Sequence, residues 1–509
     1  MPLEQASLLP TDIQTHVQTA GASCAFWLVG GAVRDRILQR PVVDFDFVVE
    51  GDAIAMARRV ADLAGGDFYR LDEARGAGRV LLPIRDQTVC LDFTRIAGEG
   101  LEQDLLARDF SINAMALSLE APDDLIDPAG GLQDLKDGRL RIPSPTAIQS
   151  DPIRALRAIR LAVDLGFKIE PDTYSQIKQA GDWLERVSPE RQRDELFRIL
   201  KLDRPALALR LLDQAQLLDA LLPEIGALRG QSQAPPHQFD VLEHTLAVMQ
   251  RLTSVLATLA PVHDGDSAAG MALAEVSFKL GRFRQPLSQY LQQELSTGRT
   301  VRQLLYLAAI FHDSGKPEAE SLEPDEQRSD GRSHGDKIQF IGHETISANK
   351  IVQAAEKFRL SKVETGWLAR VVKHHMRPLH LASLDSITKR AVYRYFRQLE
   401  GEGVAVAILS LADRLGMTAS PPDEDQWKAQ VDVVRALLEP YFEAFETSIR
   451  PDPLINGNQL MDAFDLPPGP EVGRILEAVL EAQALGEVTT EEDALDYARR
   501  CYHSPPLNT

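Results

Sequence analysis

The sequence predicts an α/β head followed by all-helical domains, and three observations carry that prediction. Short β-rich runs alternate with amphipathic stretches between residues 25 and 120, as when strands exchange with helices. From about residue 147 apolar side chains recur at three- and four-residue spacing instead. The length, 509 residues, exceeds what one core usually organises and favours three or four domains of roughly 150 residues.

In the head, AFWLVG reads as a strand, GAVRDRILQ as a helix and DFDFVVEG as a second strand. AIAMARRVADLAG follows as a helix, then GRVLLPI and TVCLDFTR as further strands. Helical periodicity is clear in PIRALRAIRLAVDLG and DELFRILKL, up to a polar, proline-containing break, RGQSQAPPHQ, near 228–238. A second helical block runs to about 420, interrupted by the loop EPDEQRSDGRSHGDK. The remaining tail is acidic and proline-punctuated, with helical runs such as EVGRILEAVLEAQALG. These breaks give a head at 1–146, a helical neck at 147–228, a helical block at 237–420 and a helical tail at 421–509. No internal repeat or extended low-complexity tract is present.

With 44% hydrophobic and 26% charged residues the chain has ordinary globular composition. No apolar run approaches the ~18 residues that cross a bilayer. The segment MPLEQASLLPTDIQTH has neither the basic nor the apolar region of a signal peptide. Cys24, Cys90 and Cys501 lie far apart, which argues against a disulfide framework and against a cysteine zinc site. A cytoplasmic compartment is expected. The net charge of −20 opposes non-specific coating of nucleic acid, although it leaves room for an enzyme whose cations gather in one cleft.

Gly30 and Gly31 end the first strand and open the helix containing Arg34. Such a turn lets backbone approach a phosphate at a helix N-terminus; alone it is equally a tight strand-to-helix turn. Asp44 and Asp46, two apart on a strand, share one face, with Phe45 and Phe47 on the other. Two carboxylates fixed side by side repel unless a cation joins them, and Mg²⁺ suits such a pair together with nucleotide phosphates. Asp92, on a later strand, completes a triad if the strands are neighbours. A DxD pair by itself is also compatible with a solvated strand edge.

These residues carry a resemblance. LVGGAVRDRILQRPVVDFDFVV resembles the signature of class II tRNA nucleotidyltransferases and bacterial poly(A) polymerases, within the DNA polymerase β type of nucleotidyltransferase. The likeness continues through RDFSINAMAL (108–117), IDPAGGLQDLKDGRLR (126–141) and SDPIRALRAIRLAVDLGF (150–167). It implies a nucleotidyltransferase head with a small mixed sheet and helices, followed by an all-α neck and body. It further implies untemplated addition of nucleotides to an RNA 3′ end. By position, Gly30 and Arg34, with the helix start at Gly31, contact the triphosphate; Asp44 and Asp46 hold Mg²⁺; Arg108 contacts the nucleotide.

Asp151-Pro152 has the form of a helix start, Asp at the N-cap and Pro at N1. Arg154, Arg157 and Arg160 then recur every three residues, usually the mark of a solvated face; the resemblance assigns them to base and phosphate recognition. Cytosine and adenine both present an amino donor beside a ring-nitrogen acceptor. An Asp acceptor next to an Arg donor satisfies both and leaves G or U unpaired, at about 1–3 kcal/mol per orphaned group. The expected partners are therefore a tRNA 3′ end, CTP and ATP.

Three departures from the family pattern stand out: Ser150 before Asp151, Ala107 before Arg108, and only 11 residues between Asp92 and Asp104. The family usually carries a longer flexible segment there, implicated in switching from CTP to ATP. Its brevity resembles enzymes that add only the two cytidines, so CC-only addition stands beside full CCA addition. Residues 139–210 hold 14 Lys or Arg against 10 Asp or Glu, a local sign reversal suited to an RNA backbone and equally to a charged helical surface.

In the second helical block, His312-Asp313 lies near the end of LLYLAAIFHDSGKP, with His244 upstream and His343, His374-His375 and Asp413 downstream. Several His and Asp on otherwise apolar helices are costly to bury unless they are paired. Imidazole and carboxylate together suit a divalent transition metal. The block resembles the HD superfamily of metal-dependent phosphohydrolases, which implies His244, His312, Asp313, His343, His375 and Asp413 as ligands. A poly(A) polymerase, a phosphohydrolase acting through this block, and an inert RNA-binding protein are the alternative readings.

Overall fold

A computed structural model describes residues 9–22, 24–84, 87–121, 124–262, 270–323, 337–384 and 386–503. Of the interrupting loop expected at 323–337, positions 324–336 lie outside the described residues. Two compact units divide the chain: one of residues 1–195 and 214–220, the other of residues 196–213 and 221–509.

The first unit is built on a seven-stranded mixed sheet. Its elements are α1 (Thr11–Gly21), β1 (Phe26–Val29), α2 (Gly31–Ile37), β2 (Asp44–Val49), α3 (Ala53–Ala64), β3 (Asp67–Asp72), β4 (Ala77–Ile84), β5 (Gln87–Arg95), α4 (Leu101–Leu106), β6 (Ala116–Leu117) and β7 (Leu125–Ile126). The strand order is β3-β4-β5-β2-β1-β6-β7. Among the described residues of this sheet only β2 and β5 pair in parallel, with Asp44 opposite Cys90 and Asp46 opposite Asp92. The alternation of DFDFVV sorts β2 by polarity: Phe45 and Phe47 are buried while Asp44 and Asp46 face outward. Phe47 stacks on Phe93 across the parallel ladder, with centroids 5.0 Å apart, which pins that register. Farther along the carboxylate face, Val48 packs with Val29, Leu105, Ala114 and Ala116, so the pair stands at the rim of a core. Behind the sheet, α3 is started by Asp52, whose carboxylate accepts from the Ala55 amide.

The β3 strand was not expected: DFYRLD has most of its side chains exposed and lacks the apolar alternation that marks a half-buried strand. The helix expected to start at Asp151 spans Ile153–Leu165, and no side chain caps it. Asp151 has extended backbone, and its carboxylate takes an Arg191 guanidinium N–H at 2.7 Å instead. A charged partner forty residues away displaces the local cap.

In the second unit, helices Val241–Thr258, Val301–Phe311, His343–Lys357, Lys362–Lys373 and Glu402–Gly416 surround the histidine–aspartate cluster. Capping boxes at Thr300/Gln303 and Ser361/Glu364 start two of them. Gly416 explains one close approach: a Cβ there would lie 2.7 Å from a Val248 methyl and 3.0 Å from its amide nitrogen. The segment read as a tail has its own core, Ile455, Leu460, Ile475, Val479, Ala494 and Ala498, shared by helices Gly457–Phe464, Pro470–Ala484 and Glu491–His503. No described helix is long and apolar enough to cross a membrane.

Candidate active site and metal centre

The head site grows from the β1–α2 turn. Gly30 has φ +73°, and a Cβ on it would lie 3.1 Å from an Arg108 guanidinium nitrogen and 3.5 Å from Asp46 Oδ2. Glycine therefore holds open the space where turn, carboxylate and guanidinium converge. Asp46 reaches solvent, and its carboxylate lies beside the Gly30 turn. Its carboxyl is pushed up to about 6, chiefly by burial, with Asp92 and Asp44 adding to the rise and Arg108 opposing it. A carboxylate held this far from its preferred charge state gains from a nearby cation, so the donor set fits a divalent ion.

Asp92 shares that face but has a partner: Arg79 donates to both its oxygens, each at 2.8 Å. Among the described residues, the three head carboxylates do not close to the spacing of a three-ligand group. Arg108 donates to Asp104, which also takes the Ala97 amide. Arg34 is nearly buried, and all its polar nitrogens are engaged: Nε and NH2 by Asp35, NH1 by Asn113 Oδ1 at 2.9 Å. Asn113 in turn donates to Asp109, whose other oxygen accepts from Arg157 at 2.8 Å. Arg160 closes on buried Glu195 at 2.5 Å.

The arginine row is therefore not a solvated stripe. Arg157 and Arg160 answer carboxylates, and Arg154 donates to the backbone carbonyls of Ala107, Arg108 and Ala147, tying the RDF segment to the neck helix. Its Nε lies 4.0 Å from Asp151. Sequence reasoning missed Arg79, Asp109, Asn113, Arg191 and Glu195. Asp109 and Asn113 lie inside the RDFSIN motif and were within reach; the others act over distances that local pattern does not reveal.

The second unit brings all six residues of the expected HD set together, each buried. His244, His312 and Asp413 form one group of ligand atoms, and Asp313, His343 and His375 another, each within 4.8 Å. Every imidazole is oriented by a main-chain carbonyl on its Nδ1: Gly416 for His244, Ala309 for His312, Phe340 for His343 and Val372 for His375. A carbonyl only accepts, so Nδ1 carries a proton and Nε2 turns inward. The Nε2 atoms of His244 and His312 are 3.3 Å apart, those of His343 and His375 3.4 Å. Two lone pairs this close are tolerated only with a proton or a cation between them.

The charge states agree with that reading. Burial opposes protonation of His244, but hydrogen bonds to Asp313 and Asp413 overcome it and lift the imidazole to about 9. Burial, aided by His312, drops His375 to about 3. Asp313 is held well below the carboxylate range despite its burial, by His312 and Lys316 above all. Lys316 Nζ lies 2.6 Å from Asp313. A cavity of about 890 Å³ opens over the cluster, with Lys316, Lys373, His374, Arg377 and His380 in its wall. His374 belongs to neither group of ligands. His237, also in the wall and not singled out from the sequence, packs edge-on against His244 at 5.0 Å.

Comparison with known proteins follows this anatomy. The poly(A) polymerase head domain profile matches residues 26–97 and 83–141, the HD domain profile 241–418, and the tRNA nucleotidyltransferase domain 2 profile 368–498. The A-adding tRNA nucleotidyltransferase of Deinococcus radiodurans is 32% identical over 484 residues, 94% of this chain and 96% of the relative. The CC-adding tRNA nucleotidyltransferase of Geobacter sulfurreducens is 29% identical over 471 residues, 92% and 90% of the two chains. Among solved structures, a CCA-adding enzyme in complex with CTP aligns with TM-score 0.63 at 20% identity, covering 98% of this chain and 97% of the other. The Thermotoga maritima CCA-adding enzyme complexed with tRNA aligns with TM-score 0.57 at 19% identity, covering 96% and 95%.

Proposed function

The chain belongs to the tRNA nucleotidyltransferase family, and from that premise we propose that it adds nucleotides of the CCA terminus to tRNA 3′ ends, using CTP and ATP. The observation that carries the reading is the turn at Gly30, where Asp46 and the Arg108 guanidinium converge, with Asp44 on the same face of β2 as Asp46. Asp44 and Asp46 would hold Mg²⁺, which when bound would supply neutralising charge for attack of a 3′-hydroxyl on the α-phosphate and departure of pyrophosphate. The two carboxylates provide the fixed negative charge, with Asp92 positioned beside them by Arg79. The Gly30–Gly31 turn presents backbone to the triphosphate, with Arg108 adding a cation and Arg34 ordering the turn from below. Asp151 and Arg154 select the base, with Arg157 and Arg160 bracing the helix they stand on. In this proposal residues 1–146 act as head, 147–228 as neck, 237–420 as HD domain and 421–509 as tail. The cytoplasm is the compartment proposed, where three scattered cysteines stay reduced.

Partial addition is a second reading, and the relatives favour it: those from Deinococcus and Geobacter, matching more than nine tenths of this chain, are named for adding A and CC. One experiment decides. Purified protein, Mg²⁺ and tRNA transcripts ending at the discriminator base or at CC are given CTP, ATP or both, and the 3′ ends are sequenced. CCA on the first transcript establishes full addition. Arrest at CC establishes CC addition, and extension of only the CC-ended transcript establishes A addition. Long A tails would indicate a poly(A) polymerase, and unaltered ends would sink the proposal.

The HD cluster supports a phosphoesterase activity beside the transferase. Its observation is the cationic wall of the cavity, Lys316, Lys373 and Arg377, over a set of donors suited to divalent metal. Release of phosphate from a phosphomonoester, lost in Asp313→Asn, is the expected result.

A further inference from the structure

We propose that Asp104 is a positioning residue of the head site, aiming the Arg108 guanidinium at the Gly30 turn; the inference rests on the reading of that turn as the seat of a nucleoside triphosphate. The main chain of Arg108 has little freedom. Its amide donates to the Leu105 carbonyl at 3.1 Å, and its carbonyl accepts from Arg154 at 3.0 Å. What can still turn is a long side chain with several rotatable bonds, and Asp104 removes that freedom. Nε and Nη2 of Arg108 both donate to one Asp104 oxygen, at 3.3 and 3.1 Å. The remaining nitrogen, Nη1, meets no acceptor among the described residues and stands at the turn, where a Cβ on Gly30 would lie 3.1 Å from it.

Asp104 is itself held. It is 9% exposed, and its second oxygen accepts from the Ala97 amide at 3.0 Å, so the carboxylate cannot swing after the guanidinium. Gln103 closes the same loop by accepting from the Glu99 amide at 2.9 Å. The next residue of α4, Leu105, is fully buried in one core with Val29 and Val48. Val29 precedes Gly30, and Val48 lies two residues beyond Asp46 on β2. One core therefore sets Asp104, the turn and the strand bearing Asp46 in a common frame. A guanidinium ordered in advance binds phosphate oxygens without the entropy loss that a free arginine suffers on binding. Because Arg154 grips the carbonyl of the same residue, the base-selecting arginine and the phosphate-facing one share a single support.

The test is a double-mutant cycle on full-length protein, extending a tRNA transcript with whichever of CTP or ATP the parent incorporates. Asp104→Asn keeps one acceptor oxygen, which can serve Ala97 or Arg108 but not both. It should raise KM for the nucleotide about tenfold, the scale of one charge-assisted hydrogen bond, while KM for tRNA stays within about twofold. Arg108→Ala should raise it at least as much, and adding Asp104→Asn to Arg108→Ala should then change it by less than about twofold. Asp104→Glu, which keeps the charge, should recover part of the affinity, and it carries the cycle if Asp104→Asn does not fold. Thermal melting reports the fold of each variant. A folded Asp104→Asn protein with the parental KM for nucleotide overturns the proposal. So do losses that multiply in the double variant, which would leave Asp104 only the task of tying the 97–103 loop. A parent protein that extends no transcript is a separate result and overturns the nucleotidyltransferase reading itself.

Discussion

Asp46 and Asp92 stand opposite each other in the parallel β2–β5 ladder, and Arg79 takes both oxygens of Asp92 at 2.8 Å. The strand register makes them equivalent; their partners make them different. Asp92 is already paired with a cation, whereas burial and like charge disfavour the charged form of Asp46.

Asp46→Asn should therefore cost far more than Asp92→Asn. Losing a ligand that neutralises transition-state charge removes several kcal/mol, roughly a thousandfold in rate. Asp92→Asn should cost about tenfold, through loss of positioning by Arg79. Single-turnover incorporation of labelled CTP or ATP into tRNA measures both. Equal losses would place Asp92 among the metal ligands and contradict the distinction.

The raised carboxyl of Asp46 sets a pH dependence with a definite sign. Below about 6 the group takes a proton and stops attracting cations, so incorporation should fall on the acid side, approaching tenfold per pH unit. Raising Mg²⁺ should move this limb to lower pH, because metal and proton compete for the same oxygens. Stability in the metal-free protein runs the other way. A folded-state value above the ordinary 3.8 means Asp46 favours folding below 3.8, and that contribution is lost as pH rises through about 6. Urea unfolding of metal-free protein should thus show Asp46→Asn gaining stability over the parent between pH 4 and 7. A pH-independent difference would refute the shift.

Much of this was legible before any coordinates. The alternation DFDFVV declares which face of β2 carries the carboxylates, and polar residues on apolar helices declare the HD cluster, because both signals are local. Ion pairs between distant segments are not local. Asp151 reads as an N-cap from its neighbours, yet Arg191 claims its carboxylate, and Arg157 and Arg160, expected to recognise base and phosphate, are answered by Asp109 and Glu195. DFYRLD hides as a strand because its exposed side chains carry no burial pattern. The small core around Leu460 and Ile475 was masked by acidic surface residues.

The Asp109–Arg157 contact predicts a stability defect joined to a binding defect. Asp109 is buried, and Asp109→Ala leaves Arg157 without its 2.8 Å partner and Asn113 without its acceptor. Breaking a buried pair from one side costs about 3–5 kcal/mol; the partial exposure of Arg157 puts the expectation near the lower figure. Because Asn113 also receives Arg34, the same variant should raise KM for nucleotide several-fold. Denaturant unfolding and steady-state kinetics read the two effects. Adding Arg157→Met should recover part of the stability and none of the nucleotide affinity.

Asp151 and Arg191 make a prediction about fidelity. The Arg191 guanidinium fixes one Asp151 oxygen at 2.7 Å, and Arg154 stands 4.0 Å from the same atom. The proposed base selection requires Asp151 to present an acceptor in one orientation; a carboxylate free to rotate satisfies wrong bases almost as well as right ones. Arg191→Ala should therefore leave the fold intact, since the pair lies largely at the surface, where ion pairs add little stability. It should instead erode the preference for CTP and ATP over UTP and GTP by about tenfold, one orphaned hydrogen bond's worth of discrimination. Arg191→Lys keeps the charge but loses the planar fork, and should fall between the two. The readout is the ratio of kcat/KM values for right and wrong nucleotides, with thermal melting as control. A variant that loses stability and rate with unchanged ratios would mean that Arg191 braces the neck and does not orient the selecting carboxylate.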